Sequence, residues 1–90
     1  MAEAWKFFIV QIQYLVPQDQ IAEIRAQHRT FLKEGYDKEW LLASGPLVPP
    51  TGGVVVARAP SREALEEFFA RDPYHIHQAA THQIMEFNPV

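Results

Sequence analysis

The sequence predicts an α+β fold in which a four-stranded antiparallel sheet carries two helices on one face. Three observations point to it. The patterned segments run in the order β-α-β-β-α-β. The chain has 90 residues, room for one domain spanning residues 1–90. Its first strand is apolar on both faces, so each face needs a cover.

That strand is residues 5–14, Trp-Lys-Phe-Phe-Ile-Val-Gln-Ile-Gln-Tyr. Aromatic and β-branched residues dominate it, as a pleated and packed segment requires. Phe8, Val10, Ile12 and Tyr14 share one face, and Trp5, Phe7 and Ile9 the other. Val16-Pro17 ends it. Asp19 is a suitable N-cap for the first helix and Gly35 a natural terminator. Between them Ile21, Ile24, His28, Phe31 and Leu32 follow helical spacing and fall on one stripe, with His28 in its middle. Arg25 sits at the stripe's edge, while Arg29 points elsewhere.

Trp40 to Leu47 reads as the second strand. Ser44-Gly45-Pro46 inside it implies a bulge or a close backbone approach. Pro49 to Gly53 is a turn, and Val54 to Ala57 the returning strand of a hairpin. Ser61 caps a second helix whose apolar side is Ala64, Leu65, Phe68 and Phe69. Asp72-Pro73 stops it, because a residue before proline leaves the α region. Tyr74 to Gln78 is a short connection, and Thr81 to Phe87 the last strand. This order is that of the ferredoxin-like arrangement.

Composition narrows the function. The chain is 48% hydrophobic and 21% charged, a globular balance. Its net charge is −3, which argues against a nucleic-acid partner. The longest apolar stretch, Phe7 to Val10, is far short of the ~20 residues that span a bilayer. There is no cysteine and no visible signal peptide, so a reducing cytoplasm is the expected setting. Two Trp, six Phe and three Tyr are many for so small a core. With helices on one face only, Trp5, Phe7 and Ile9 would lie bare, and a two-fold homodimer with stacked sheets would cover them.

Two residues stand out chemically. His28 is either a core histidine with one nitrogen satisfied or a general acid/base aimed between helix and sheet. Asp72 ends a helix where the local dipole disfavours an anion, so it is either a solvated turn residue or the partner of a nearby histidine or arginine. His75 and His77, with His82 further on, raise a metal site, but the spacing matches no specific ligand motif. No phosphate loop or nucleophile elbow is present.

Arg25-Ala-Gln-His28, Ser44-Gly45-Pro46, Thr51-Gly52-Gly53, Asp72-Pro73-Tyr74 and Glu86-Phe87-Asn88-Pro89 occur in order over essentially the whole chain. In these motifs the sequence resembles the YciI-like (YCII-related) family. The resemblance implies a ferredoxin-like fold, a dimeric α/β barrel of two stacked sheets, and an active site whose histidine and aspartate map onto His28 and Asp72. Relatives include a dehydrochlorinase of a chlorinated hydroxyhydroquinone, and muconolactone isomerases share the broader fold. One departure is Gln78, where many members carry glycine. The histidines at 75, 77 and 82 are also unusually many.

The expected function is therefore cofactor-independent proton transfer on a small cyclic or aromatic metabolite, as an elimination or an isomerisation. His28 and Asp72 would be catalytic. Arg25 would bind an anionic oxygen, Ser44 and the backbone at Gly45 would supply hydrogen bonds, and Trp40 and Tyr74 would form walls. Surface ion pairing for Arg25 and core packing for Trp40 are the plainer alternatives. The rival function is a dimeric module that binds a small ligand without turning it over.

Overall fold

The computed structural model describes residues 4–90. Its order is β1 (Lys6–Tyr14), α1 (Gln18–Asp37), β2 (Leu41–Pro46), β3 (Gly52–Ala59), α2 (Arg62–Phe69), α3 (Pro73–Ile76) and β4 (Ala80–Phe87). The strands form one antiparallel sheet in the order β2-β3-β1-β4, the ferredoxin-like α+β arrangement. β1 is central. Its Phe8, Val10 and Ile12 are buried, together with Val55 and Ala57 of β3. Ile21, Phe31 and Leu32 of α1 and Leu65, Phe68 and Phe69 of α2 complete that core. At ~25 cal/mol per Å², burial of side chains of this size contributes about 1.5–3 kcal/mol each. The opposite face carries Phe7, Ile9, Val54 and Val56, all half-buried, beside the exposed Met85 and Phe87.

Several local expectations are corrected. The first helix starts at Gln18 with Pro17 as N-cap, so Asp19 lies in the first turn, where its Oδ1 accepts from the Gln20 N–H at 3.0 Å, and is not the N-cap. It also runs past Gly35 to Asp37. Gly35 is buried inside the helix, where a Cβ would stand 2.7 Å from Leu41 Cγ and 2.8 Å from Phe68 Cζ. Its role is close approach of α1 to β2 and α2. The left-handed residue that follows the helix is Glu39, at φ 63°. In β2 the register slips between Leu41 and Ala43, ahead of Ser44-Gly45-Pro46, and Gly45 and Pro46 pair regularly with Val54 and Gly53. Ser61 caps α2 as expected, accepting from the Ala64 N–H at 3.0 Å.

The stretch Tyr74 to Gln78 is not a plain connection. It holds the short helix α3, and Asp72 is that helix's N-cap. Four residues carry no legible period, so this turn was invisible to hydrophobic spacing. Gln78 follows it at φ 56°. A left-handed residue is easiest for glycine, so the glycine that the family resemblance leads one to expect at this place would relieve the strain.

Candidate functional site

The site is assembled around Asp72, which is completely buried. Its backbone leaves α2 and its side chain turns back to accept from the Tyr74 N–H at 3.0 Å. The same oxygen, Oδ1, lies 2.8 Å from His28 Nδ1 on α1. The other, Oδ2, lies 2.8 Å from His82 Nε2 on β4. Burial alone would push the Asp72 carboxyl up. Donors from His28, His82 and the Tyr74 amide outweigh it and hold the group below its ordinary value. Asp72 is therefore a carboxylate, which only accepts. Both histidines must carry a proton on the nitrogen that faces it, an assignment that follows from the bonding.

His28 sits on the buried stripe of α1, 7% exposed. Its ring stacks on Tyr74, with centroids 3.9 Å apart and planes 12° from parallel. With Nδ1 protonated, a neutral His28 has its lone pair on Nε2. Among the described residues the one buried side-chain nitrogen or oxygen without a partner is His82 Nδ1. His28 Nε2, which has no protein partner, thus keeps access to the cleft that His28 lines.

That cleft measures about 500 Å³ and lies between α1 and the β2–β3 hairpin. Arg25, Ser44, Gly45 and Tyr74 line it with His28, as do Arg29 and Leu32. Its charged walls are the two arginines, although the chain as a whole is acidic. Burial pushes the Tyr74 phenol up, Tyr14 adds to the rise and Arg25 opposes it, so the hydroxyl stays neutral. Ser44 Oγ shares a hydrogen bond of 2.6 Å with the Tyr36 hydroxyl. The Gln18 side-chain amide donates to the Pro50 carbonyl and ties the start of α1 to the hairpin turn at the cleft's rim.

Three expectations change here. Trp40 is not a wall of this cleft: its ring packs on Phe68 at 6.0 Å with the Lys38 ammonium 4.0 Å above it. Arg29, expected to point away, borders the cleft from the next helical position. His82 was grouped with His75 and His77, and the geometry separates them. His77 is exposed, the His75 ring is 6.2 Å from that of His82, and His82 Nε2 is taken up by Asp72. Among the described residues no group of three or more His, Cys, Asp or Glu is placed to hold a metal. The available signal for His82 was strand alternation, since Ala80, His82 and Ile84 share the helix-facing side of β4.

A second cleft, larger at about 760 Å³, lies over β4 on the other side of Asp72 and includes His82, His75, Arg62 and Phe69. Its size does not make it the centre of the chemistry. The histidine nitrogen free to exchange a proton opens into the smaller cleft.

The model of the YCII-related domain matches residues 7–88. The fold is similar to that of 5-chloro-2-hydroxyhydroquinone dehydrochlorinase from Burkholderia phenoliruptrix AC1100, solved in complex with 2,5-dihydroxybenzoquinone. The likeness has a TM-score of 0.77 at 16% identity and covers 91% of this chain and 93% of that one. No curated protein matches the sequence. Among the described residues no helix is long and apolar enough to cross a membrane.

Proposed function

Because the chain belongs to the YCII-related domain family, we propose that it is an acid–base enzyme acting on a small anionic ring compound. The observation that carries this reading is the state of His28: Nδ1 is held by a buried carboxylate and Nε2 is left open to a cleft walled by Arg25, Arg29 and Tyr74. An imidazole fixed in this tautomer is a general base. Asp72 offsets the charge that His28 gains when it accepts a proton. The arginines hold the oxygen that becomes anionic as the substrate loses that proton, a stabilisation of charge as it develops. Ser44 and the backbone at Gly45 orient the ring, and Tyr74 packs against the base.

Two reactions fit this inventory. In an elimination, Nε2 takes a proton from an acidic hydroxyl or carbon, the freed electron pair forms the new π bond, and the leaving group departs with the pair of its own bond. In an isomerisation, the same nitrogen returns the proton to a different carbon. The dehydrochlorinase of the same fold, solved with a dihydroxylated quinone, favours oxygenated rings as the substrate class. We further propose that the enzyme works in the cytoplasm, without a cofactor, as a homodimer whose sheets stack through Phe7, Ile9, Met85 and Phe87.

The test is a turnover screen of hydroxylated aromatics, haloquinols and unsaturated lactones with the wild type and His28→Gln. Loss of about 10²–10⁴-fold in kcat/KM in the variant is expected for a general base. Ring compounds that bind equally to both proteins, with no turnover by either, would instead establish a binding module.

A further inference from the structure

We infer that His82 is a positioning residue that donates Nε2–H to Asp72 and so sets which carboxylate oxygen His28 receives. The inference rests on the reading of His28 as the base. It starts from the division of labour on Asp72. Oδ1 takes His28 and the Tyr74 amide, while Oδ2 takes His82 alone among side chains. Without His82, Oδ2 would be a fully buried carboxylate oxygen with no donor. Such an oxygen keeps its charge uncompensated and turns toward another donor, which shifts the carboxylate against His28.

The second nitrogen of His82 decides between two roles. A relay would pass a proton from His28 through Asp72 and His82 to the second cleft, charging His82 on the way. Nδ1 would then become an N–H donor on a cation. It is buried and has no partner, and the side chain is only 6% exposed. An unmet acceptor is tolerable there, whereas an unmet donor on a buried charge is far more costly. His75 does not relieve this, since the two rings stand 6.2 Å apart and edge-on. Phe69 covers another side at 5.3 Å. These surroundings disfavour the relay and leave His82 the positioning role.

Several ionisable groups surround the pair. Asp72 faces His28 on α1 and His82 on β4, Tyr74 with Arg25 and Tyr14 stands behind His28, Arg29 borders the same cleft as His28, and His75 with Arg62 and Glu66 of α2 borders the cleft on the side of His82. Removing the His82 donor concentrates negative charge on Asp72 and strengthens its hold on protonated His28. Activity should then fail at a higher pH on the acid side.

Three variants and one spectrum test this. His82→Phe keeps the ring's bulk and loses the donor, and His82→Gln places an amide N–H near the position of Nε2. In His82→Phe we expect kcat to fall about 10–100-fold, the range for lost partners of an active group, with KM little changed and the acid limb of the pH profile moved up. His82→Gln should restore most of kcat and the original limb. Equal profiles for the Phe and Gln variants, or an unmoved limb in His82→Phe, would overturn the proposal. The spectrum is ¹⁵N NMR of the wild-type imidazoles near neutral pH. His82 should carry a proton on Nε2, the nitrogen that faces Asp72; an unprotonated Nε2 overturns the proposal even if a variant fails to fold. His28→Gln separates the two ideas. If it leaves turnover intact, the acid–base reading falls, while the His82 spectrum still decides the positioning role.

Discussion

The His28 imidazole lies flat on the Tyr74 ring, 3.9 Å between centroids, and Tyr74 is itself only 2% exposed. One ring therefore fixes the tilt of the other, while the Tyr74 backbone N–H holds the carboxylate that fixes its rotation. Residue 74 thus serves the pair through both its side chain and its main chain.

The ring and the hydroxyl of Tyr74 should separate cleanly. Tyr74→Phe keeps the stack and should change stability by less than about 1.5 kcal/mol, as shape-conserving swaps do. Tyr74→Ala should cost about 3–5 kcal/mol, the range for a deleted buried aromatic. Urea unfolding of both variants measures the difference, and equal costs would mean that the ring contributes no packing.

The charge on Asp72 should appear in the acid stability of the fold. Its folded value lies below the ordinary 3.8. Such a group contributes stability that is present in full above the unfolded value and is lost as pH falls through the folded one. Wild type should exceed Asp72→Asn at every pH from neutrality to about pH 4, with the gap closing below that. Removing one partner of a buried pair costs about 3–5 kcal/mol, so the gap is large enough to follow by denaturant titration. A gap that was absent at neutral pH, or that did not close below about pH 4, would contradict an ionised Asp72.

Gly35→Ala should be destabilising although alanine is the better helix former by about 1 kcal/mol. The new methyl would stand 2.7–2.8 Å from Leu41 and Phe68 atoms in the core, and overpacking of this kind costs about 1–3 kcal/mol. Leu41→Ala made in the Gly35→Ala background should recover part of the loss. Additive costs in the double variant, measured by thermal unfolding, would mean that the helix simply shifts away.

Phe7→Glu should yield monomers or insoluble protein. Phe7 meets Phe87 edge-on at 6.3 Å on the open sheet face, at the terminal pair of the β1–β4 ladder, and a stable interface of stacked sheets should bury at least about 1,000 Å² in total. Light scattering decides it: wild type as a monomer at micromolar concentration would remove the dimer.

The sequence displayed the elements that have a period. Alternation in β1 separates Phe8, Val10 and Ile12 from Phe7 and Ile9, and the stripe Ile21, Ile24, His28, Phe31, Leu32 orients α1, because burial of one face imposes these spacings. His28 was visible for the same reason, as a polar residue on an apolar stripe. What has no period stayed hidden. The four-residue α3 made Asp72 an N-cap where a helix end was expected, which reverses the argument from the dipole. His82 is tied to Asp72 through the pairing of β4 with β1, where it sits opposite Ile12. That register is a long-range product of folding, written in no local spacing. Trp40 looked like a pocket wall because aromatic residues serve packing and binding equally, and only the placement of Phe68 decided the matter.

The strand order gives the site a weak margin of its own. β4 is an edge strand, bonded along one side to β1, and edges open locally before the centre of a sheet does. Each such opening carries His82 away from Asp72 while β1, β3 and α1 stay folded. The assembled His28–Asp72–His82 array is thus governed by a sub-global equilibrium, with amide exchange in residues 80–87 as its clock. Exchange in residues 80–87 that is faster than in β1 and β3 is the expected signature of that equilibrium.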